Sequence, residues 1–340
     1  MKPLFYTLAY IPGALALIGL AWGGAWLWTV PLFIFGLVPL VEVFLKGSSY
    51  NVSDAVARNR KEQRIFNALV YGIVPLHVAA LALLLWNVSL GLYTGWEWCG
   101  ATFTVGICCG MYGLNVGHEV GHRSGRTGKY SALLLMGSSL YPHFLLEHNR
   151  GHHRRVATPE DPASAQQGEW VYAFWVRSVV GGLRSAWGID KGHVLRVWSG
   201  TLLVWCAVAL GLGWMAALTW IAAGVIGIAL LETVNYVEHY GLLRQKRPNG
   251  KYERTRPCHS WNANHPLGRA LLFDLTRHSD HHAYPGRRYQ VLRSHAEAPL
   301  LPSGYPGMIL LSLLPPIFFQ IMHPHIQREQ QRLAHLKPAA

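Results

Sequence analysis

Six apolar stretches, each near the length needed to cross a bilayer, constrain this chain more than any other feature. They lie near Phe5–Leu20, Trp26–Leu45, Phe66–Trp86, Cys99–Val116, Leu202–Ala217 and Thr219–Val234. A hydrocarbon core of about 30 Å takes roughly 20 helical residues to span, and every backbone polar group inside it must be satisfied internally. The chain is 51% hydrophobic and only 14% charged, more apolar than a soluble domain can bury. The expectation is an all-α polytopic membrane protein of about six transmembrane helices.

Charge placement orients the spans, because Lys and Arg accumulate in cytoplasmic loops. All 30 lie on one side of a six-span arrangement. Lys2 precedes the first span, and Lys46, Arg58, Arg60, Lys61 and Arg64 separate the second from the third. The rest fall between Arg123 and Arg196 or from Arg244 onward, whereas the loops around Gly23, Ser89–Glu97 and Gly211–Trp214 contain none. Both termini are expected in the cytoplasm, and the protein in a bacterial inner membrane. The net charge of +13 then needs no nucleic acid to explain it, although a basic face also suits an acidic protein partner.

The first span competes with a cleaved signal peptide, since Ala14-Leu15-Ala16 imitates a cleavage site. A single Lys before it, and Pro12-Gly13 within it, favour retention. The spans then carry two large cytoplasmic inserts, residues 117–198 and 236–340, in one domain covering 1–340. The apolar run Met308–Met322 is short and contains Pro315-Pro316, which suits an interfacial or re-entrant helix.

Nine histidines occupy four clusters on the basic side: His118 and His122; His148, His152 and His153; His239; and His278, His281 and His282. Helical residues four apart share a face, so His118 and His122 can address one metal. GHEVGH alone also matches the HExxH of zinc proteases, with Glu119 as general base. EHNRGHH repeats the four-residue step and adds His153, while RHSDHH steps by three and again ends in a doublet. Nine imidazoles exceed the three that a catalytic zinc takes, and two metals with four or five nitrogens each would use them all. Imidazole suits iron, copper and zinc alike, so spacing leaves the metal open.

A ligating histidine usually donates its other N–H to a carboxylate or carbonyl. Glu119, Glu147, Glu238 and Asp280, together with Asn235, are the expected partners. Glu232, an ionisable group at membrane depth, marks a further functional position. The five cysteines form neither a disulfide framework nor a CxxC pair, and no GxGxxG follows a strand. Reducing equivalents must come from another protein.

HEVGH, the run EHNRGHHRRVATPEDPASAQQGE from Glu147 to Glu169, NYVEHYGLLR from Asn235, and RHSDHHAYPGRRYQ from Arg277 together resemble the integral-membrane alkane 1-monooxygenases. The likeness continues through HSWNANH at His259 and LPSGYPGM at Leu301. Histidine boxes are shared by the wider membrane desaturase and hydroxylase superfamily; the PEDPAS continuation and NYVEHYGL are narrower. The resemblance implies a non-haem di-iron enzyme, with two iron ions held by the nine histidines and no catalytic side chain beyond that centre. It implies terminal hydroxylation of n-alkanes with dioxygen and electrons from rubredoxin, itself reduced by a rubredoxin reductase. Arg123 stands where the family commonly has Lys, which keeps the charge. The absence of a rubredoxin domain matches the unfused members.

Breaking an unpolarised C–H bond is beyond acid–base side chains, so the oxidising power must come from a metal and dioxygen. An alkane dissolved among the membrane lipids could enter between the spans and present its end at their cytoplasmic mouth. Trp26, Trp28, Phe33 and Phe35 are candidates for lining that path. Related di-iron chemistry, either lipid desaturation or xylene-type methyl hydroxylation, and zinc-dependent intramembrane proteolysis are the competing functions.

Overall fold

Six helices long and apolar enough to cross a membrane organise the computed structural model, which describes residues 2–336 and contains no β-sheet among them. They run Pro3–Trp22, Gly24–Phe44, Arg64–Ser89, Trp96–Gly121, Val171–Leu212 and Trp214–His239. The protein is a multi-pass, all-α membrane protein.

Local sequence explains several of their details. The first span changes from 3₁₀ to α-helix between Tyr10 and Ile11. Pro12 therefore falls in a first turn, where its missing N–H leaves no bond unmade. The fourth helix continues past Val116 through His118 to Gly121, with His122 capping its end, and the sixth runs to His239. The expected fifth span, 202–217, is interrupted: that helix starts at Val171 and stops at Leu212 because Gly213 takes φ 89°. The turn falls within the expected loop at Gly211–Trp214, but hydropathy alone runs the span through it, since apolar residues flank it on both sides and only glycine adopts this backbone readily. About a third of the expected insert 117–198 is accordingly the lower part of this long helix, kinked at Asp190.

The fourth helix is the axis of the bundle. Of its most apolar window 83% is buried, against 17% for the fifth helix, which lies at the periphery. Glycines let the fourth and sixth helices approach closely. A Cβ at Gly110 would come within 2.7 Å of Leu230, and one at Gly227 within 2.9 Å of the Gly110 backbone nitrogen. Small residues at such crossings are the usual route to tight packing in lipid, where no hydrophobic drive separates helix from solvent.

Below the bundle, Arg126–Ser138 turns back from the first histidine pair, and Phe144–Glu147 leads into the second box. Short helices at His278–Ala283 and Tyr305–Ser312 follow. The apolar run near 308–322 is broken before Pro315, where the helix Pro315–Leu336 begins, so it forms no seventh span. The last four residues of the second insert lie outside the described range. All five cysteines are free thiols.

Candidate metal centre

The fourth helix is π-helical over Cys109–Val116, immediately before His118, and a second π turn spans His148–His152. Single π turns cost hydrogen-bond geometry and recur at functional sites. Here the second one decides which imidazoles meet. In an α-helix His148 and His152 would share a face; the wider turn instead pairs His148 with His153, whose Nε2 atoms lie 2.9 Å apart.

All nine clustered histidines converge, in two groups. His118, His122, His148, His153 and His281 form one, and His152, His239, His278 and His282 the other, with the nitrogens of each group within 4.8 Å of one another. Both doublets are divided between the groups. The closest approaches are His118 to His281 at 2.8 Å, His278 to His282 at 2.8 Å, and His152 to His282 and His239 to His278 at 3.2 Å, all Nε2 to Nε2. Two imidazoles bound at about 2.1 Å and a right angle on one ion would stand about 3 Å apart. The donor set therefore fits two metal ions, and a five-nitrogen group exceeds the tetrahedral set of a structural or catalytic zinc.

Burial keeps these rings neutral, the form a metal needs. It draws His122 down to about 4, and burial first, then the neighbouring imidazoles, hold His148, His153, His278, His281 and His282 well below the usual histidine value. His152 is the exception. Burial lowers its affinity for protons, but the Asp161 charge and hydrogen bond outweigh this and the net shift is upward. Asp161 moves the opposite way, its own burial overcome by His152.

That pair is the clearest imidazole–carboxylate contact in the site: His152 Nδ1 lies 2.8 Å from Asp161 Oδ2, which also accepts from Ser164 Oγ at 2.6 Å. Asp161 was absent from the expected partners, although its place in PEDPAS, nine residues beyond His152, was visible. Of the expected partners, Glu238 comes within 3.1 Å of His278, but at Nε2, the nitrogen that faces His239 and His282, and not at the far-side N–H; it also accepts from the Tyr305 hydroxyl at 2.7 Å. The others bind elsewhere. Glu119 pairs with Arg123 at 3.2 Å, and Glu147 with Arg155 at 2.7 Å. Asp280 holds Arg287 at 2.5 Å and His295 at 2.6 Å, and Asn235 donates to Glu232 at 3.2 Å. Glu119, which a zinc protease would use as its base, is thus engaged away from the histidines. Glu232 is buried with Tyr141 and Ser178 as further hydrogen-bond donors.

Remaining contacts lock the rings' supports. His239 Nδ1 is 3.4 Å from Ser260 Oγ. Arg277, buried beside the third box, donates to the carbonyls of Ser48, Tyr50 and Leu292 and ties that helix to the segment after the second span. A buried guanidinium with its donors used in this way fixes position more than it adds stability.

A narrow apolar cavity of about 50 Å³ is lined by Glu238, which touches His278 of the four-histidine group. An open apolar groove of about 640 Å³ on the flank of the bundle adjoins it, and Phe35, Leu230 and Ile309 line both. Of the aromatic residues expected along such a path, Phe35 and Trp28 lie on it, whereas Trp26 is exposed against Trp22 and Phe33 packs on the core.

Residues 94–312 match the fatty acid desaturase family. The chain is 38% identical over 315 residues to alkane 1-monooxygenase 1 of Alcanivorax borkumensis, covering 88% of this chain and 78% of that protein. It is 37% identical over 329 residues to alkane 1-monooxygenase 2 of Pseudomonas aeruginosa, covering 91% and 86%. The xylene/toluene monooxygenase hydroxylase component of Pseudomonas putida is more distant, 28% identical over 98% of this chain and 92% of its own length. With its histidine-lined centre and six spans, the chain belongs to the alkane 1-monooxygenases within the fatty acid desaturase family, and is an oxidoreductase.

Proposed function

We propose that this protein hydroxylates the terminal methyl of n-alkanes to primary alcohols, consuming dioxygen, two protons and two electrons and releasing water. The nine histidines are read as the ligands of two iron ions, and rubredoxin, served by its reductase, as the electron donor. The basic, histidine-bearing side is read as cytoplasmic, with both termini there and the spans in the inner membrane.

One observation carries the reading: an apolar cavity begins at a lipid-facing groove and stops at a carboxylate touching the histidines. A hydrocarbon has no group to hydrogen-bond, so shape and apolar walls must orient it. Phe35, Leu230 and Ile309 line both the groove and the narrow inner cavity, whose small volume suits a thin unbranched chain entering end first. The same walls exclude bulk water from the reacting end. Iron, when bound by these residues, supplies the redox chemistry with dioxygen that cleaves the C–H bond. Asp161 holds the His152 Nδ1 proton and so presents Nε2 toward the metal side. Tyr305 donates to Glu238 and keeps that buried carboxylate in place at the cavity's end.

The test is metal analysis together with turnover of n-alkanes by the purified protein, with rubredoxin, rubredoxin reductase and nicotinamide cofactor. Two irons per chain and dioxygen-dependent primary alcohols are expected. Desaturated acyl products or hydroxylated aromatic methyls in place of alcohols would reassign the substrate, and a single zinc with Glu119-dependent peptide cleavage would overturn the reading altogether.

A further inference from the structure

Another concavity, of about 500 Å³, shares no lining residue with the substrate path. It lies between the third helix, the helix Arg126–Ser138 and the peripheral fifth helix. Along the fifth helix it runs from Arg196 to Val208, about 18 Å at 1.5 Å per residue. That is close to the depth of one leaflet, about 15 Å of a 30 Å core.

The two ends differ in chemistry. Leu81, Leu85 and Trp220 form an apolar floor, and Gly200 leaves open space where a side chain would project. Arg196 closes one end; it is exposed and takes part in no ion pair among the described residues. Asp190 and Lys129 both lie close enough to share its field at His193, so this end carries two cations against one carboxylate and keeps a net positive charge. Trp198, one half-turn on, stacks on His143 with ring centroids 5.7 Å apart, which puts this basic end on the histidine side of the membrane. Hydrogen bonds from Trp220 Nε1 to the Ser138 carbonyl (2.6 Å) and between His77 and Ser138 Oγ (3.0 Å) stitch the inner wall.

We propose that this groove binds one anionic phospholipid from the leaflet on the histidine side, its phosphate on Arg196 and an acyl chain along Gly200, Val204 and Val208. A hydrocarbon substrate would make no use of the guanidinium, whereas a headgroup phosphate gives it a bidentate acceptor. The bound lipid would also cover the flank of the fifth helix, the least buried of the six. The occupant fits by charge at one end and by length along the rest.

Full-length protein is purified into nanodiscs of phosphatidylcholine alone or of equal parts phosphatidylcholine and phosphatidylglycerol. Retained lipid is counted by native mass spectrometry and thermal unfolding is followed in parallel. The wild type is expected to keep one phosphatidylglycerol and to unfold at a higher temperature in the mixed discs. Arg196→Gln should weaken its retention about fivefold, the usual effect of one surface cation near anionic lipid, while Arg196→Lys retains most of it. Gly200→Trp, which keeps the charge and fills the groove, should abolish retention while leaving iron content at the wild-type level. Equal retention by Arg196→Gln and Gly200→Trp, or no preference for phosphatidylglycerol over phosphatidylcholine in the wild type, overturns the proposal.

Discussion

Asp161 and His152 show how much a single contact sets at this site. The carboxylate orients one ring and fixes which nitrogen carries the proton, so Asp161→Ala should lower iron content and turnover together by roughly 10–100-fold. Asp161→Asn, which keeps an acceptor, should fall between that variant and the wild type. Iron analysis with alkane turnover checks both, and wild-type values for the alanine variant would remove Asp161 from the site. Two histidines outside the clusters add to the acid sensitivity that the buried clustered rings already confer. Burial draws His143 down to about 4, and burial, partly offset by Glu253, does the same to His259. Unfolded imidazoles titrate near 6.5, so between pH 6.5 and 4 the unfolded chain binds more protons and stability falls as pH is lowered. Each contributes roughly 3 kcal/mol across that window by the usual conversion. Unfolding in detergent followed against pH should show the slope, and His143→Gln should lessen it by that one residue's share, leaving the remainder to His259 and the clustered rings.

Between elements, the approach of the fourth and sixth helices determines whether His118, His122 and His239 can meet the other boxes. Gly110→Leu would drive a side chain into Leu230, an overpacking that typically costs about 1–3 kcal/mol, and should reduce iron content without preventing insertion. Full iron occupancy in that variant would show that the crossing has slack. The spans were legible in sequence because apolar length is a local property. The loop at Gly211–Trp214 could be placed from its lack of Lys and Arg, but the helix boundary at Gly213 within it could not, because apolar residues flank the turn on both sides. Likewise the clusters and their four-residue steps could be read directly, but the division of His148, His152 and His153 could not, since a π turn changes the period without changing the letters. Glu119, Glu147 and Asp280 stood at suggestive positions, yet arginines brought in from elsewhere in the chain or one turn away claimed them. Asp161 was missed because proximity to His152 arises from the loop folding back, not from helical spacing.

At the scale of the whole molecule, the fold places a lipid-facing entrance and a polar, basic face on either side of one set of imidazoles. Substrate and electrons can therefore arrive without crossing each other's path. Ile309, where the outer groove meets the inner cavity, is the place to test the route. Ile309→Trp should narrow the neck and lower turnover of long alkanes several-fold while leaving iron content unchanged; unchanged kinetics across a series of chain lengths would move the route elsewhere. The divided doublets carry a last consequence. Because His152 and His153, and again His281 and His282, are joined by single peptide bonds yet serve different groups, ordering one group pre-positions the other. Metal uptake should then be steeply sigmoidal, with half-filled molecules scarce during titration, and the two ions should be lost together on chelation.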